Sequence, residues 1–239
     1  MLVPLAIINH FKPTRPLDPP INLAELYPEG FHARDLKLAH DPEIFTARNF
    51  FIWLDKLHKF AELFARASIH PFRKTALKKA EQWMLERFEG SDGLAAIFPA
   101  MLNSLIALKA LGYPDDHPQV VRAERELKKL EHETTDRVRI EPCFSPVWDT
   151  VIVTICLAES GISGGHPALK QATEWVLDKE IRFRGDWQYK NPAQVEPSGW
   201  VFEYNNKWNP DVDDTAMVLL ALRKVQTDDP ARRDAAFKR

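Results

Sequence analysis

The sequence predicts an all-α protein arranged as an α/α barrel. Helical periodicity runs through most of the chain. No alternating apolar and polar run is long enough for a confident strand. An internal repeat pairs amphipathic helices with wholly apolar ones. Alternation of that kind places the amphipathic helices in an outer ring and the apolar helices in an inner one. An ordinary helical bundle would satisfy the periodicity alone. The repeat favours the barrel.

The elements follow in order. Residues 49–67 set Phe50, Trp53, Leu54, Leu57, Phe60, Ala61 and Phe64 on one helical stripe. Phe51, Ile52 and Leu63 lie off it, so this helix has a second apolar side. Residues 72–88 keep Leu77, Ala80, Trp83, Met84 and Arg87 in step. Further helices are predicted over 99–111, 117–131, 147–159, 167–180 and 213–225. The strand candidate is Gly199–Tyr204, and an irregular segment fits it as well.

The repeat matches Ala80–Arg87 with Ala172–Lys179, each followed by a Gly-bearing turn and later by an apolar helix. Residues 12–45 hold Pro13, Pro16, Pro19, Pro20, Pro28 and Pro42. So long a connection is unusual inside a compact domain, and it is expected to wrap a surface.

Composition removes several functions. The net charge of −2 over 239 residues gives no field for nucleic acid or anionic lipid. Two cysteines, Cys143 and Cys156, make no disulfide framework and fit a reducing cytoplasm. No apolar run reaches the roughly 18 residues of a membrane span. Met1–Ile8 has no basic leader and no small-residue cleavage site, so it reads as a poor signal peptide. The uncapped apolar start and the unfinished helical pattern at Pro230–Arg239 lead us to expect part of a longer chain.

The chemistry concentrates at Asp211-Val212-Asp213-Asp214-Thr215, between Pro210 and the apolar run Met217–Leu222. Carboxylates this close cannot all ionise cheaply, so at least one should hold a proton at neutral pH. A haloacid-dehalogenase-type phosphatase motif would need a buried strand leading in. The lead-in Asn206-Lys207-Trp208-Asn209-Pro210 is polar and ends in proline. A calcium loop would need a central Gly and a distal Glu. Helix capping by Asp211, with Asp213 and Asp214 in the first turn, would also account for the cluster. A helix N-terminus lowers a carboxyl pKa, so an acid here needs burial and mutual repulsion to win.

The segments Gly199–Asn205, Pro210–Ala216 and Ser145–Thr150 resemble the central part of squalene-hopene cyclases. His70-Pro71-Phe72-Arg73 matches a family stretch as well. Gly185-Asp186-Trp187 resembles a weakened QW repeat of the family, with Phe88 and Glu180 at expected Gln places and Leu94 near an expected Trp. The resemblance covers essentially the whole chain.

The resemblance implies parts of two α/α barrels, with residues 1–130 in an inserted barrel and 131–239 opening the catalytic one. It implies a class II triterpene cyclase that protonates squalene and closes it to hopene-type rings, with neither a cofactor nor a metal. Asp213 would be the acid, and Asp211 and Asp214 would tune it. Trp148 and Phe202 would line the cavity with π-faces that stabilise cations, and Ile97 would shape the folded substrate. Trp53, Trp83 and Trp175 stay structural.

Asp214 favours squalene, since relatives acting on oxidosqualene carry Cys there. The helix at 49–67 aligns with one that dips into a membrane leaflet, and burial between two layers is the alternative. A homodimer peripheral to the inner membrane face follows for the full-length enzyme. A family member is more than twice this long. The histidine that orients the acid would follow Arg239, so this polypeptide alone is expected not to cyclise squalene. A class II diterpene cyclase would need a basic cluster for diphosphate, and none is obvious near Trp148 or Phe202. A non-catalytic helical scaffold is the third reading.

Overall fold

The computed structural model describes residues 1–21, 26–27, 38–67, 72–190 and 194–239, with residues 62–67 described by backbone alone. His70 and Pro71 of the family stretch lie outside the described residues, as does much of the Pro-rich connection. The chain forms two compact units: Met1–Lys12 with Lys78–Arg239, and Pro13–Leu77.

In the larger unit the apolar start is a helix, α1 (Leu2–Phe11), without a side-chain cap at Met1. Lys12 ends it in a left-handed conformation, and its N–H donates to Ile8 O at 2.7 Å. The following helices are α3 (Arg73–Phe88, entering this unit at Lys78), α4 (Phe98–Ala110) and α5 (Pro118–Lys128). Next come α6 (Pro146–Glu159), α7 (Pro167–Asp178), α8 (Val212–Leu222) and α9 (Pro230–Lys238).

The predicted alternation is present. α4, α6 and α8 are apolar around most of their surface, whereas α5 and α7 are strongly amphipathic. α1 and α5 pack on α4, and both α7 and α8 pack on α6. Val147, Val151, Leu177, Trp200, Val218 and Leu222 form the core between α6, α7 and α8. Burial of each large side chain there contributes roughly 1.5–3 kcal/mol.

α5 and α7 begin alike. His117 precedes Pro118, and its ring accepts the N–H of Gln119 at 3.3 Å. His166 precedes Pro167 and accepts the N–H of Ala168 at 3.2 Å. The His-Pro pair caps a helix start whose first residue has no N–H to satisfy.

The internal repeat is structural as well. Arg87 lies 4.0 Å from the Trp83 ring on α3, and the matching Lys179 lies 5.4 Å from Trp175 at the end of α7. A second ring attends each cation, Trp208 for Arg87 and Tyr204 for Lys179.

Sequence periodicity misses a small hairpin. β1 (Glu131–Glu133) and β2 (Val138–Ile140) pair antiparallel, with Glu131 opposite Ile140. Every residue in it is exposed, so no alternation marks it. It begins where the helix predicted over 117–131 was to end, and α5 stops at Lys128. The Gly199–Tyr204 segment is irregular, with one isolated bridge between Trp200 and Asp211.

In the smaller unit α2 spans Ala47–Ala67. Asn49, 4 % exposed, organises its entry. Its Nδ2 donates to Asp41 O at 3.1 Å and Glu43 O at 2.7 Å, and its Oδ1 accepts the N–H of Asp41 at 2.9 Å. The predicted stripe is exposed: Phe50, Trp53, Leu54, Leu57 and Phe60 are 47–65 % accessible, whereas Ile52 is buried. Trp53 is therefore not a core residue. Leu63 and Phe64 have side chains outside the described set.

Candidate active site

The carboxylate tetrad sits where α8 begins, and a compact knot of bonds fixes it. Asp211 is extended and is the N-cap: its Oδ1 accepts the N–H of Asp214 at 2.8 Å. Its own N–H donates to Trp200 O at 3.1 Å. Thr215 Oγ1 donates to Asp211 O at 2.6 Å and accepts the N–H of Trp200 at 3.1 Å. Trp200 is fully buried, and its indole N–H donates to Val176 O at 2.7 Å. Gly199 lets the chain pass close beside it: a Cβ there would crowd Pro210 Cβ at 3.1 Å and Thr215 Oγ1 at 3.2 Å.

The three carboxyls face different surroundings. Asp211 and Asp213 are exposed, whereas Asp214 is 3 % exposed. Asp214 Oδ1 has no hydrogen-bond partner among the described residues. Burial first, then a hydrogen bond with the Asp211 carboxyl and the charges of Asp211, Glu203 and Asp213, push Asp214 up to about 7.

Capping and burial therefore divide between residues. Asp211 serves the helix end, and burial outweighs the helix field at Asp214. The family resemblance implies Asp213 as the acid, with Asp211 and Asp214 tuning it. In the fold burial acts on Asp214 and pushes its carboxyl up to about 7.

Trp148 lies in the first turn of α6, and its ring centroid is 5.9 Å from that of Phe202, inclined at 39°. Both are half-buried. Phe202 follows Trp200 by two residues, so the bridge that fixes the tetrad also places this aromatic pair. Ile97, half-buried and extended, precedes α4. Backbone bonds between 89–96 and 203–209 join the segment that ends at Ile97 to the one that ends at Asp211.

Glu203 escaped the sequence reading. It is 7 % exposed, and burial raises its pKa against the opposing hydrogen bond from Asn206 Nδ2, 3.2 Å from Oε2. The charges of Asp211 and Asp92 act in the same direction as burial. A cavity of about 300 Å³ opens beside it, lined also by Asp92, Met101, Glu126, Phe144 and Tyr204. The available signal was a single carboxylate inside Trp200-Val201-Phe202-Glu203-Tyr204. A second cavity, of about 470 Å³, borders Asp211 and Thr215 with Trp187, Ser198 and Leu219. Among the described residues no three His, Cys, Asp or Glu side chains converge in metal-ligand geometry.

Glu180, in the expected Gln place of the weakened repeat, keeps a side chain only 7 % exposed. It accepts Ser198 Oγ at 2.8 Å and Arg239 Nη2 at 2.7 Å.

The described residues give a mostly helical chain in which apolar and amphipathic helices alternate and a carboxylate cluster opens an apolar one. The chain belongs to the squalene-hopene cyclase family: residues 1–136 match the squalene-hopene cyclase N-terminal domain and residues 144–239 its C-terminal domain. It is 37 % identical to dammaradiene synthase of Dryopteris crassirhizoma over 92 % of this chain and 31 % of that protein. It is 35 % identical to squalene–hopene cyclase of Zymomonas mobilis, over 94 % of this chain and 34 % of the relative. With squalene–hopene cyclase of Alicyclobacillus acidocaldarius it shares 33 % identity over 99 % of this chain and 36 % of the relative. The chain thus spans about a third of the length of the curated relatives it matches.

Proposed function

We propose that this chain is the central segment of a class II triterpene cyclase acting on squalene. The observation that carries the reading is Asp214, buried in the tetrad and holding its proton near neutral pH. An alkene is a weak base, and its protonation calls for an acid shielded from water. The acid's O–H bond breaks, a C–H bond forms at the terminal alkene, and the next double bond attacks the resulting cation. Ring closure repeats along the chain until a proton leaves. Trp148 and Phe202 offer π-faces to such cations without a basic atom to quench them.

Asp213 is the residue that the family likeness assigns to proton donation. Asp214 lies one residue behind it and supplies the retained proton, and Asp211 orients the pair. In this reading residues 1–130 are part of the inserted barrel and 131–239 open the catalytic barrel. The family matches over 1–136 and 144–239 support such a division. Squalene as substrate draws support from the relatives named squalene–hopene cyclase.

The exposed apolar face of α2 would meet one leaflet of a membrane and admit substrate from lipid. Among the described residues no helix is long and apolar enough to cross a membrane, so contact would be peripheral. A homodimer at the inner membrane face completes the reading.

The test is squalene turnover by the full-length protein with Asp213→Asn and Asp214→Asn, read by gas chromatography of cyclic products. Loss of an acid should lower turnover about 10²–10⁴-fold. Unchanged product formation in both variants would remove the tetrad from the chemistry.

A further inference from the structure

Two segments far apart in sequence run side by side next to the tetrad. One, residues 89–96, ends at Ile97. The other, residues 203–209, ends at Pro210 and Asp211. Asp92 N–H donates to Asn205 O at 2.9 Å, and Lys207 N–H to Gly90 O at 3.1 Å. Trp208 Nε1 donates to Glu89 O at 3.0 Å. Asn205 Nδ2 donates to the Asp92 carboxylate at 3.1 and 3.2 Å. Ser91 and Asn206 form an isolated antiparallel bridge.

Asn206 is the centre of this seam. It is 5 % exposed. Its Nδ2 donates to Ala95 O at 3.3 Å and to Glu203 Oε2 at 3.2 Å, and its Oδ1 accepts Asn209 Nδ2 at 2.7 Å. Ala95 and Ala96 hold φ of 55° and 50°, a left-handed conformation that side-chain-bearing residues rarely adopt. Such strain persists only where the surroundings over-determine it. The Asn206 amide bonds the strained peptide itself, and that peptide delivers the chain into Ile97.

We propose that Asn206 is a positioning residue for product specificity, holding Ile97 and the tetrad in one register. Through Ala95 O it sets the wall against which a folded polyene would lie. Through Glu203 and the stretch to Pro210 it sets the acid. The proposal rests on the cyclase reading above. Asn206 touches no reacting atom in it. An Asp of the same size cannot replace it, because Ala95 O and Glu203 Oε2 both need a donor.

The experiment compares Asn206→Ala, Asn206→Asp and Asp92→Ala in the full-length protein, with squalene as substrate. Product ratio is read alongside folded fraction at the assay temperature. The Asn206 variants should raise the share of incompletely or alternatively cyclised products at least about fivefold per folded enzyme. Asp92→Ala, which removes the clamp on Asn205 and a negative charge near Glu203 but leaves the Asn206 bonds in place, should shift the ratio the same way by less. Turnover falling in proportion to folded fraction, with the product ratio unchanged, would overturn the proposal and leave a structural seam. If the Asn206 variants do not fold, an unchanged ratio in Asp92→Ala overturns it. A wild type that forms no cyclic product sinks the cyclase reading and this proposal together. Wild-type products with an unmoved ratio sink only the proposal.

Discussion

Asp211 accepts the N–H of Asp214 at 2.8 Å, and its carboxyl also helps keep Asp214 protonated. One residue thus starts a helix and tunes its buried neighbour. The exposed carboxyl takes the capping task, which needs an acceptor oxygen, and the buried one keeps the proton, which needs desolvation.

Stability should fall as pH rises past this acid. Asp214 goes from an ordinary 3.8 in the unfolded chain to about 7 in the fold. Below pH 4 both states hold the proton, and its contribution is fully present. Between pH 4 and 7 the unfolded chain releases the proton first, so the contribution is lost, by on the order of 4 kcal/mol in all. Asp214→Asn removes this dependence. Urea unfolding from pH 4 to 8 should show the variant gaining on the wild type as pH rises. Parallel curves would contradict the assignment.

Asp211 separates capping from charge. Asn caps a helix about as well as Asp, so Asp211→Asn should cost little stability yet move the Asp214 titration down. Asp211→Ala should move it as well and cost about 1 kcal/mol besides. Carbon-13 NMR of the Asp214 carboxyl reads the first effect and denaturant midpoints the second. An unmoved Asp214 midpoint in both variants would mean that burial alone holds the proton.

Most helices were legible because their apolar residues recur at helical spacing, and the Ala80–Arg87 and Ala172–Lys179 repeat gave the alternation. The hairpin at 131–140 was not, because its strands are exposed on both faces. The same reasoning explains the site. Spacing along the chain marks Asp211, Asp213 and Asp214 as a cluster, but only the fold leaves Asp214 buried and the other two exposed. Which carboxyl is enclosed is a tertiary fact. Glu203 and Asn206 lie in an irregular stretch with no period, and their partners Asp92 and Ala95 are more than a hundred residues away. The α2 stripe was read correctly as apolar, yet periodicity does not say whether protein or another phase meets it.

The Arg87–Asp186 pair should be strongly coupled. Arg87 is buried between the rings of Trp83 at 4.0 Å and Trp208 at 4.6 Å. Its Nε donates to Asp186 Oδ2 at 2.8 Å, and Nη2 donates to Oδ1. Asp186→Asn leaves a buried guanidinium half-neutralised and should cost about 3 kcal/mol. Arg87→Lys loses the planar stack and the bidentate fork, and should cost about 2 kcal/mol. The double variant should cost clearly less than the sum. Urea midpoints give the cycle. Additive losses would mean that the two side chains stabilise the fold separately.

The exposed face of α2 makes a prediction that needs no catalysis. Phe50, Leu57 and Phe60 are 59–63 % exposed, so polar replacements should leave folding stability within about 0.5 kcal/mol. If that face enters a lipid leaflet, each large side chain contributes roughly 1.5–3 kcal/mol to partitioning. Phe50→Ser and Leu57→Ser should then each weaken vesicle binding about tenfold or more, and together they should abolish it in a flotation assay. Lys59 pairs with Asp55 at 2.6 Å, and Lys59→Gln is the control. An exposed pair of that kind is worth at most about 1 kcal/mol, so binding to neutral vesicles should change little. Full vesicle binding by the Phe50, Leu57 double variant would show that this face does not carry the lipid contact.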